Sequence, residues 1–250
     1  MQEPSAGRLS VIIPVYNEAA TLRIAIARLR KSPAPQGWER RIIAVDDGSS
    51  DGSAEMLAEL AAAGDDMVVV RHPRNMGKGS ALRTGLEHAD GDIVLIHDAD
   101  LEYDPRDHLE VLEPLLEGRA DAVIGSRFRG GTTHRVLYFW HSIANRGLTA
   151  FSNAMTNLNL SDIECCTKAF TKEVAARLQL RERGFGIEPE IVAKLARMRM
   201  DAGARGWRRL RIYEAPVSYA GRTYAEGKKI RWTDGLWAAW CIVRYSLGPL

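Results

Sequence analysis

The sequence is poor in cysteine and contains no long apolar run. Its three cysteines cannot form a disulfide framework, because Cys165 and Cys166 are adjacent and Cys241 lies far from both. Such cysteine usage is typical of a reducing compartment. No stretch reaches the roughly 18 uncharged apolar residues that a membrane span requires. Residues 1–8 are polar and contain no apolar signal region. The sequence therefore predicts a cytoplasmic location.

Net charge is also nearly absent: it is +2 for 250 residues, which argues against a nucleic-acid partner. One segment departs from this balance, since residues 200–231 contain eight basic side chains and three acidic ones. The basic residues are Arg205, Arg208, Arg209, Arg211, Arg222, Lys228, Lys229 and Arg231. Such an excess could meet phosphates or an anionic membrane face, and a solvated surface is the alternative.

Two common phosphate-binding motifs are missing as well. Residues 75–80 look like a phosphate-binding loop at first, but Gly79 follows Lys78 where Ser or Thr is required, and His72 stands at the upstream glycine position. The dinucleotide fingerprint G-x-G-x-x-G is absent after the first predicted strand, where residues 14–18 read Pro-Val-Tyr-Asn-Glu. The sequence therefore argues against a hydride-transfer enzyme.

What the sequence does contain is an alternation of short apolar segments with segments of helical periodicity. Strands are predicted at residues 9–13, 41–45, 67–70, 92–96 and 121–124, with Pro14 closing the first. Helices are predicted at 18–30, 53–63, 79–89 and 134–157, and a late or edge strand at 209–217. This order predicts an α/β protein: a single Rossmann-like domain with a mostly parallel central sheet flanked by helices.

Polar residues follow each of the first four predicted strands. They lie at residues 16–18, 46–47, 74–78 and 98–102. Ligands of open parallel sheets bind beyond the carboxyl ends of the strands, and all four clusters fall there. The sequence therefore predicts a ligand site along this edge of the sheet.

The last of these clusters carries three acidic residues at a spacing of two. In an extended backbone, Asp98, Asp100 and Glu102 point to the same side, with small Ala99 between the first two. Hard divalent cations such as Mg²⁺ or Mn²⁺ bind oxygen ligands and often share them with a substrate's phosphates. The cluster thus indicates a metal–diphosphate site, and a solvated acidic turn is the alternative.

Four motifs together resemble family 2 inverting glycosyltransferases of the GT-A fold. They are VIIPVYNE at residues 11–18, VDDGSSDG at 45–52, RNMGKG at 74–79 and DADLE at 98–102. Three looser motifs are similar to the dolichyl-phosphate mannose synthase and polyprenyl-phosphate glycosyltransferase branch, at residues 125–127, 161–170 and 221–229. The resemblance covers nearly the whole chain. It implies one GT-A domain over residues 1–250, with a nucleotide-sugar-binding half at 9–125, an acceptor-facing half at 126–231 and a C-terminal amphipathic helix at 232–250.

The resemblance also implies roles for residues at the predicted sheet edge. Asp46 and Asp47 would accept hydrogen bonds from the donor's base. Glu18 would meet the ribose, although favourable placement near a helix dipole is its structural alternative. The remaining donor-side residues would line the base, the diphosphate and the metal: Pro14, Val15, Tyr16, Lys78, Asp98, Ala99 and Asp100. In the family the metal ligands match Asp100 and Glu102, with Asp98 beside them. Many relatives carry Gln at the position of Glu102.

The acceptor-facing half contributes further candidates. Arg222, Lys228 and Lys229 match a mobile basic loop that closes on phosphates in relatives, and Arg127 is a similar candidate. Asp162 matches the position of an acidic residue near the acceptor and is, with Asp100, the catalytic candidate. A turn or helix cap is the alternative for Asp162.

The implied reaction moves a hexose from a UDP- or GDP-linked sugar to an acceptor, with Mg²⁺ or Mn²⁺ as cofactor. A polyprenyl phosphate is ionised at neutral pH and needs no general base, whereas a hydroxyl acceptor on a saccharide or small molecule needs one. A silent nucleotide-sugar-binding protein is a third hypothesis. Trp232, Leu236, Trp240, Val243 and Leu247 form an apolar helical stripe that would suit peripheral contact with a membrane. Packing on the protein or on a dimer partner is the alternative.

Overall fold

The computed structural model describes residues 6–130, 135–136, 138–222 and 232–248. The first half forms β1 (Gly7–Val15), α1 (Leu22–Lys31), β2 (Trp38–Asp46), α2 (Ser53–Ala62), β3 (Met67–Arg71), α3 (Lys78–His88), β4 (Ile93–Ile96), a 3-10 turn (Pro105–Asp107), α4 (His108–Leu116) and β5 (Ala122–Ser126). The second half forms α5 (Phe139–Thr156), β6 (Lys168–Thr171), α6 (Lys172–Arg177), α7 (Ile187–Arg197), β7 (Arg199–Asp201), a 3-10 turn (Gly203–Arg205), β8 (Trp207–Arg209), β9 (Ile212–Pro216) and α8 (Trp232–Leu247).

Seven strands make one sheet in the order β3-β2-β1-β4-β6-β5-β9. β1 pairs in parallel with β2 and β4, β2 with β3, and β5 with β9. β6 runs antiparallel to both of its neighbours. The predicted mostly parallel sheet is therefore confirmed, and β9 lies at its edge as the pattern at 209–217 indicated. The carboxyl ends of β1 to β4 meet along one edge, where the four polar clusters lie.

Alternation along the strands separates two apolar cores. On β1, Val11 and Ile13 face the layer that includes α1, α2 and α4, whereas Ile12 faces the layer that includes α3, α6 and α7. All three side chains are fully buried. A central parallel strand is apolar on both faces because helices cover both, which explains the unbroken Val-Ile-Ile run.

The first strand is longer than predicted and Pro14 does not close it. β1 runs to Val15, with Pro14 opposite Val45 of β2. The pairing between β1 and β4 ends at Ile12, so no neighbour on that side needs a donor from Pro14, which has no N–H.

The first helix begins at Leu22 rather than Glu18, so the predicted start was wrong. Asn17 has a left-handed backbone (φ 50°), and the next two N–H groups donate to Ser53 Oγ and Asp51 Oδ2 of the loop after β2. These bonds hold the segment in a loop geometry. Glu18 consequently lies outside the helix, and its carboxylate pairs with Arg222.

The Trp-rich stripe of α8 faces solvent. Leu236, Trp240 and Leu247 are 64%, 52% and 71% exposed, and Val243 is half-buried. The side chain of Trp232 lies outside what the structure describes. The helix packs instead through a second set: Ala238, Cys241, Ile242 and Tyr245. Among the described residues, no helix is both long and apolar enough to cross a bilayer.

Candidate functional site

The loops that follow β1 and β2 are joined by side-chain hydrogen bonds. Asn17 N donates to Ser49 Oγ (3.0 Å), and Asn17 Oδ1 accepts from Ser50 N (2.9 Å). This arrangement places the donor-side candidates of both loops at one edge. Among them, Val15 is buried, while Pro14 and Tyr16 are half-buried.

Asp47 shapes the loop before α3. Its two carboxylate oxygens accept from Met76 N (2.9 Å) and Gly77 N (2.8 Å), and Oδ1 lies 2.7 Å from His72 Nδ1. Asp46 is fully buried, accepts from Ser49 N and pairs with Arg71. Asp47 therefore lies against the loop at residues 74–78, whereas Asp46 lies beside Arg71 at the end of β3.

Lys78 lies inside a buried ionic cluster. Its Nζ is 3.0 Å from Asp98 Oδ2, 3.3 Å from Glu188 Oε1 and 2.9 Å from Cys166 Sγ. Burial opposes the charged form, but the carboxylates of Asp98 and Glu188 outweigh it and raise the pKa of Lys78 well above its ordinary value. Lys78 thus brings positive charge to the acidic segment, and its predicted contact with a diphosphate stays a prediction. Ala99, next to Asp98, is buried.

Arg222 joins the carboxylates that the sequence assigned to metal and ribose. Its Nη2 is 2.8 Å from Asp100 Oδ2, its Nε is 3.3 Å from Glu102 Oε1, and its Nη1 is 3.3 Å from Glu18 Oε2. Its backbone N–H also donates to Glu102 Oε1 (2.8 Å). The structure therefore brings Asp100, Glu102 and Glu18 together around one cation.

The acidic segment suits a divalent cation by its donor chemistry. Burial, with Asp98 and Glu102 as neighbours, raises the pKa of Asp100 to about 7. The raised pKa means that the ionised form of Asp100 is unfavourable, and a nearby positive charge would stabilise it. Asp100 and Glu102 already contact one such charge, the guanidinium of Arg222. In the part of the chain that the structure describes, however, no three or more His, Cys, Asp or Glu side chains surround a common metal position, and Asp98 is directed to Lys78. The fit is to a pair, Asp100 and Glu102.

Asp162 and Arg127 form a second buried ion pair. Arg127 donates from Nε to Asp162 Oδ2 (2.6 Å) and from Nη2 to Asp162 Oδ1 (2.8 Å), and Asn145 Nδ2 donates to the same Oδ1 (3.2 Å). Asp162 is fully buried. Burial alone would raise the pKa of Asp162, but the Arg127 guanidinium outweighs it and holds that pKa below its usual value. Asp162 is therefore charged and held in place by Arg127.

Lys168 and Glu188, two buried charged residues near the site, carried no signal of their own in the sequence, whereas Glu164 is a lesser acidic candidate close to Asp162. Lys168 pairs with Glu188, and both are buried. Glu164 Oε1 is buried with no hydrogen-bond partner among the described residues, and burial together with Glu188 raises the pKa of Glu164 to about 7. Sequence spacing could not have found Lys168 and Glu188, because the ionic cluster to which they belong joins β6, α3 and α7. Lys228 and Lys229 lie outside the described residues.

Comparison with known families places most of the chain in one of them. The family model described as "Glycosyl transferase family 2" matches residues 10–178. This match confirms the resemblance drawn from the sequence motifs.

Curated relatives are about one third identical to this chain over the aligned residues. An undecaprenyl-phosphate 4-deoxy-4-formamido-L-arabinose transferase of Proteus mirabilis is 33% identical over 223 residues, covering 88% of this chain and 62% of the relative. The transferase of the same description from Klebsiella pneumoniae is 31% identical over 227 residues, covering 90% and 63%. The chain thus spans less than two thirds of the length of these relatives.

Solved structures of the same fold include glucosyl-3-phosphoglycerate synthase from Mycobacterium tuberculosis. Its complex with Mn²⁺, UDP and glucosyl-3-phosphoglycerate has a TM-score of 0.67 at 20% identity, covering 98% of this chain and 81% of that one. The complex with Mn²⁺, UDP-glucose and glycerol 3-phosphate has a TM-score of 0.68 at 21% identity, covering 98% and 82%. These likenesses confirm the predicted fold.

Proposed function

Because this chain belongs to glycosyl transferase family 2, we propose that it transfers a sugar from a nucleotide-sugar donor to a polyprenyl phosphate. The names of the curated relatives, which are undecaprenyl-phosphate sugar transferases, support this acceptor class. The loops after β1, β2 and β3 and the acidic segment after β4 would form the donor site. Arg222 would stabilise the negative charge of the departing nucleoside diphosphate. Lys78, which contacts Asp98, would add positive charge to the same site.

Asp100 and Glu102 would hold the divalent cation. Mg²⁺ or Mn²⁺ would supply positive charge where the leaving diphosphate accumulates negative charge. The Mn²⁺ and UDP in the titles of the structural neighbours support a divalent cation, although their identity to this chain is low. On cation binding, Arg222 would lose its contacts with Asp100 and Glu102 and would bind the diphosphate instead.

The observation that carries the acceptor assignment is the buried pair of Asp162 and Arg127. A general base needs a pKa near the working pH and reach to the acceptor's proton. Asp162 has a depressed pKa and both of its oxygens engaged. A phosphate acceptor needs no such base, because its second pKa lies near ~6 and it is largely ionised at neutral pH. Asp162 would then position Arg127.

A hydroxyl acceptor is the second candidate, and Glu164 is the observation in its favour. Its pKa is raised to about 7, the range suited to a general base at neutral pH. One of its oxygens has no hydrogen-bond partner among the described residues. Glu164 would accept the proton of a hydroxyl acceptor that reached it.

Exposed apolar residues on two helices support contact with a membrane surface. On α5 they are Phe139, Trp140 and Ile143, and on α8 they are Leu236, Trp237, Trp240 and Leu247. Tryptophan-rich exposed helix faces suit the interfacial zone of a bilayer. A lipid acceptor would be taken from that surface.

A transfer assay tests the proposal. Purified protein is incubated with Mn²⁺ or Mg²⁺ and labelled UDP- and GDP-sugars, with and without undecaprenyl phosphate, and the products are extracted into organic solvent. Label that enters the organic phase only with metal and lipid is the expected result. The opposite result is donor turnover with all label in the aqueous phase. If that turnover is lost in the Glu164→Gln variant, the result would support the hydroxyl acceptor.

Two charge-removing variants rank the acidic residues. Asp100→Asn should slow transfer by on the order of 100-fold or more, because cation stabilisation of a leaving group contributes several kcal/mol. Asp162→Asn should slow it by roughly tenfold, since only the position of Arg127 changes. Initial rates are compared after circular dichroism confirms that both variants are folded. A larger loss in Asp162→Asn would contradict the positioning role.

A further inference from the structure

A cavity of about 390 Å³ lies away from the acidic segment, where three helices end beside the β7–β8 hairpin. α5 ends there at Thr156, α7 at Arg197 and α8 close to Ser246. Arg199 and Arg209, which face each other across β7 and β8, complete its polar lining. A volume of this size accommodates a phosphate-sized group with room for its substituents.

The polar lining of this cavity consists of hydrogen-bond donors and hydroxyls. Three arginines contribute, and among the described residues no Asp or Glu lines the cavity. Arg197 Nη1 donates to Tyr245 O (2.8 Å) and Gly248 O (2.6 Å), and Arg199 Nη1 donates to Arg197 O (3.3 Å) and Met198 O (3.4 Å). These bonds engage one nitrogen of each guanidinium, so the other nitrogens of both remain available to a ligand.

Two further groups have no assigned partner. Within the described ranges, the guanidinium of Arg209 makes no hydrogen bond or ion pair. Ser246 Oγ is buried and likewise lacks a hydrogen-bond partner there. A buried hydroxyl without a partner costs free energy unless a ligand or water satisfies it. Arg209 is exposed, so an oxyanion in the cavity would replace water at its guanidinium and would give the Ser246 hydroxyl a partner.

The charge balance favours an anion. Each helix C-terminus contributes a partial charge of about −0.5, so three of them offset only part of the charge of three arginines. Arginine presents paired N–H groups that match the oxygens of phosphate. The chemistry therefore indicates a phosphate group as the ligand.

The surroundings indicate where that phosphate comes from. Leu247 follows Ser246 and is 71% exposed, and Trp207, two residues before Arg209 on β8, is 70% exposed. Met155 of α5 also lines the cavity. A basic cavity with exposed apolar side chains on the same helix and strand as its lining residues matches a lipid, whose headgroup is charged and whose chains are apolar.

We propose that this cavity binds the phosphate of an anionic lipid headgroup and so fixes the orientation of the protein on the membrane. The inference rests on the membrane contact proposed above. It adds a phosphate site that is separate from both substrates of the transfer reaction.

Binding to vesicles tests this site without donor or acceptor, so its outcome does not depend on transferase activity. Sedimentation with phosphatidylcholine vesicles, with and without phosphatidylglycerol, is measured for wild type, Arg209→Gln and the double variant R199Q/R209Q. The matched control is R23Q/R106Q, which removes the same charge from two exposed arginines outside the cavity. Thermal unfolding checks the fold, and Arg209→Gln serves if the double variant is unstable, because it loses no described contact.

We expect R199Q/R209Q to weaken binding to phosphatidylglycerol vesicles by roughly 10- to 30-fold, at about 1 kcal/mol for each basic residue near the surface, with less than about twofold for the control. Equal weakening in both double variants would overturn the site, since only net charge would matter. A second arm titrates inorganic phosphate at constant ionic strength. Phosphate binding that needs Arg199 and Arg209, with vesicle binding unchanged, would overturn the lipid source and assign free phosphate.

Discussion

Arg222 holds the two carboxylates to which a divalent cation would bind. Its guanidinium contacts Asp100 and Glu102, and the three side chains are largely shielded from solvent. A cation that binds these oxygens has to displace the guanidinium, so the two compete for one position. The affinity for the proposed cation would therefore depend on a residue that is not itself a ligand.

Removing this competitor should tighten metal binding. We expect Arg222→Gln to raise the affinity for Mn²⁺ by roughly 5-fold in the absence of nucleotide, because a half-buried ion pair of about 1 kcal/mol no longer has to be broken. Transfer should become slower in the same variant, since the diphosphate loses a cation. Calorimetric titration with Mn²⁺ measures the first effect, with Arg106→Gln as the control for charge. Unchanged or weaker Mn²⁺ binding would contradict the competition.

At the scale of single residues, the sequence predicted where the polar residues lie but not which side chains they contact. The four polar clusters could be placed at one sheet edge, because the carboxyl ends of parallel strands meet there. The pairing of Lys78 with Glu188, or of Arg127 with Asp162, could not be predicted, because each partner comes from a distant element. Asn145 of α5 likewise donates to Asp162 across a long sequence separation.

At the scale of elements, Glu182 attaches α8 to the body of the protein. Its carboxylate accepts from Tyr245 Oη (2.6 Å) and Trp237 Nε1 (3.0 Å), and Arg244 Nη1 lies 3.5 Å away. Glu182 is itself buried, and its backbone N–H donates to Glu190 Oε2. One side chain thus satisfies three groups of the helix.

Glu182→Gln should therefore destabilise the protein by about 1–2 kcal/mol. The substitution replaces one carboxylate oxygen by an NH₂ group, which cannot accept the hydrogen bond that Trp237 or Tyr245 donates. Urea denaturation gives the free energy of unfolding. Tyr245→Phe removes the shared hydrogen bond from the other side, so the double variant should be less destabilised than the sum of the two. Glu59→Gln, at an exposed ion pair, is the control and should change stability by less than about 0.5 kcal/mol. Additive effects of Glu182→Gln and Tyr245→Phe would refute the coupling.

Periodicity predicted most elements of the first half of the chain, but it missed α4 and several elements of the second half, including the 11-residue helix α7. The strands β1 to β5 and the helices α1 to α3 were found within a few residues, because each has an apolar run or face. β6 was missed, since Lys168–Thr171 is only four residues long and begins with a buried lysine. On α8 the apolar stripe was found, but periodicity alone could not say that the opposite set, around Cys241 and Tyr245, packs inward.

At the scale of the whole molecule, stability should depend on pH through two buried histidines. His97 directly follows the carboxyl end of β4, and His108 is the first residue of α4. His97 Nδ1 and His108 Nε2 lie 3.1 Å apart. Burial lowers the pKa of His97 to about 4, and burial together with His97 lowers the pKa of His108 well below its ordinary value. In the unfolded chain both pKa values return to about 6.5.

Between these values the unfolded chain binds more protons than the folded one, so stability falls as the pH is lowered from about 6.5 to about 4. We expect His97 alone to account for a loss of roughly 3 kcal/mol across this window, at about 1.4 kcal/mol for each pKa unit, and His108 to add to it. Urea denaturation at a series of pH values measures it. His108→Gln should give a shallower slope than wild type, whereas His88→Gln, at an exposed site, should not. Identical slopes for wild type and His108→Gln would contradict the assignment.

The contact between the loop before α3 and the loop before α7 limits how this fold can be recombined. Gly77 and Gly79 lie so close to the backbone of Glu182 and Arg183 that neither has space for a Cβ atom, and Gly79 N donates to Arg183 O (2.7 Å). The two segments come from opposite halves of the chain. A chimera that joins the first half of one relative to the second half of another would therefore keep this contact only if the parent of the first half has glycine at both positions.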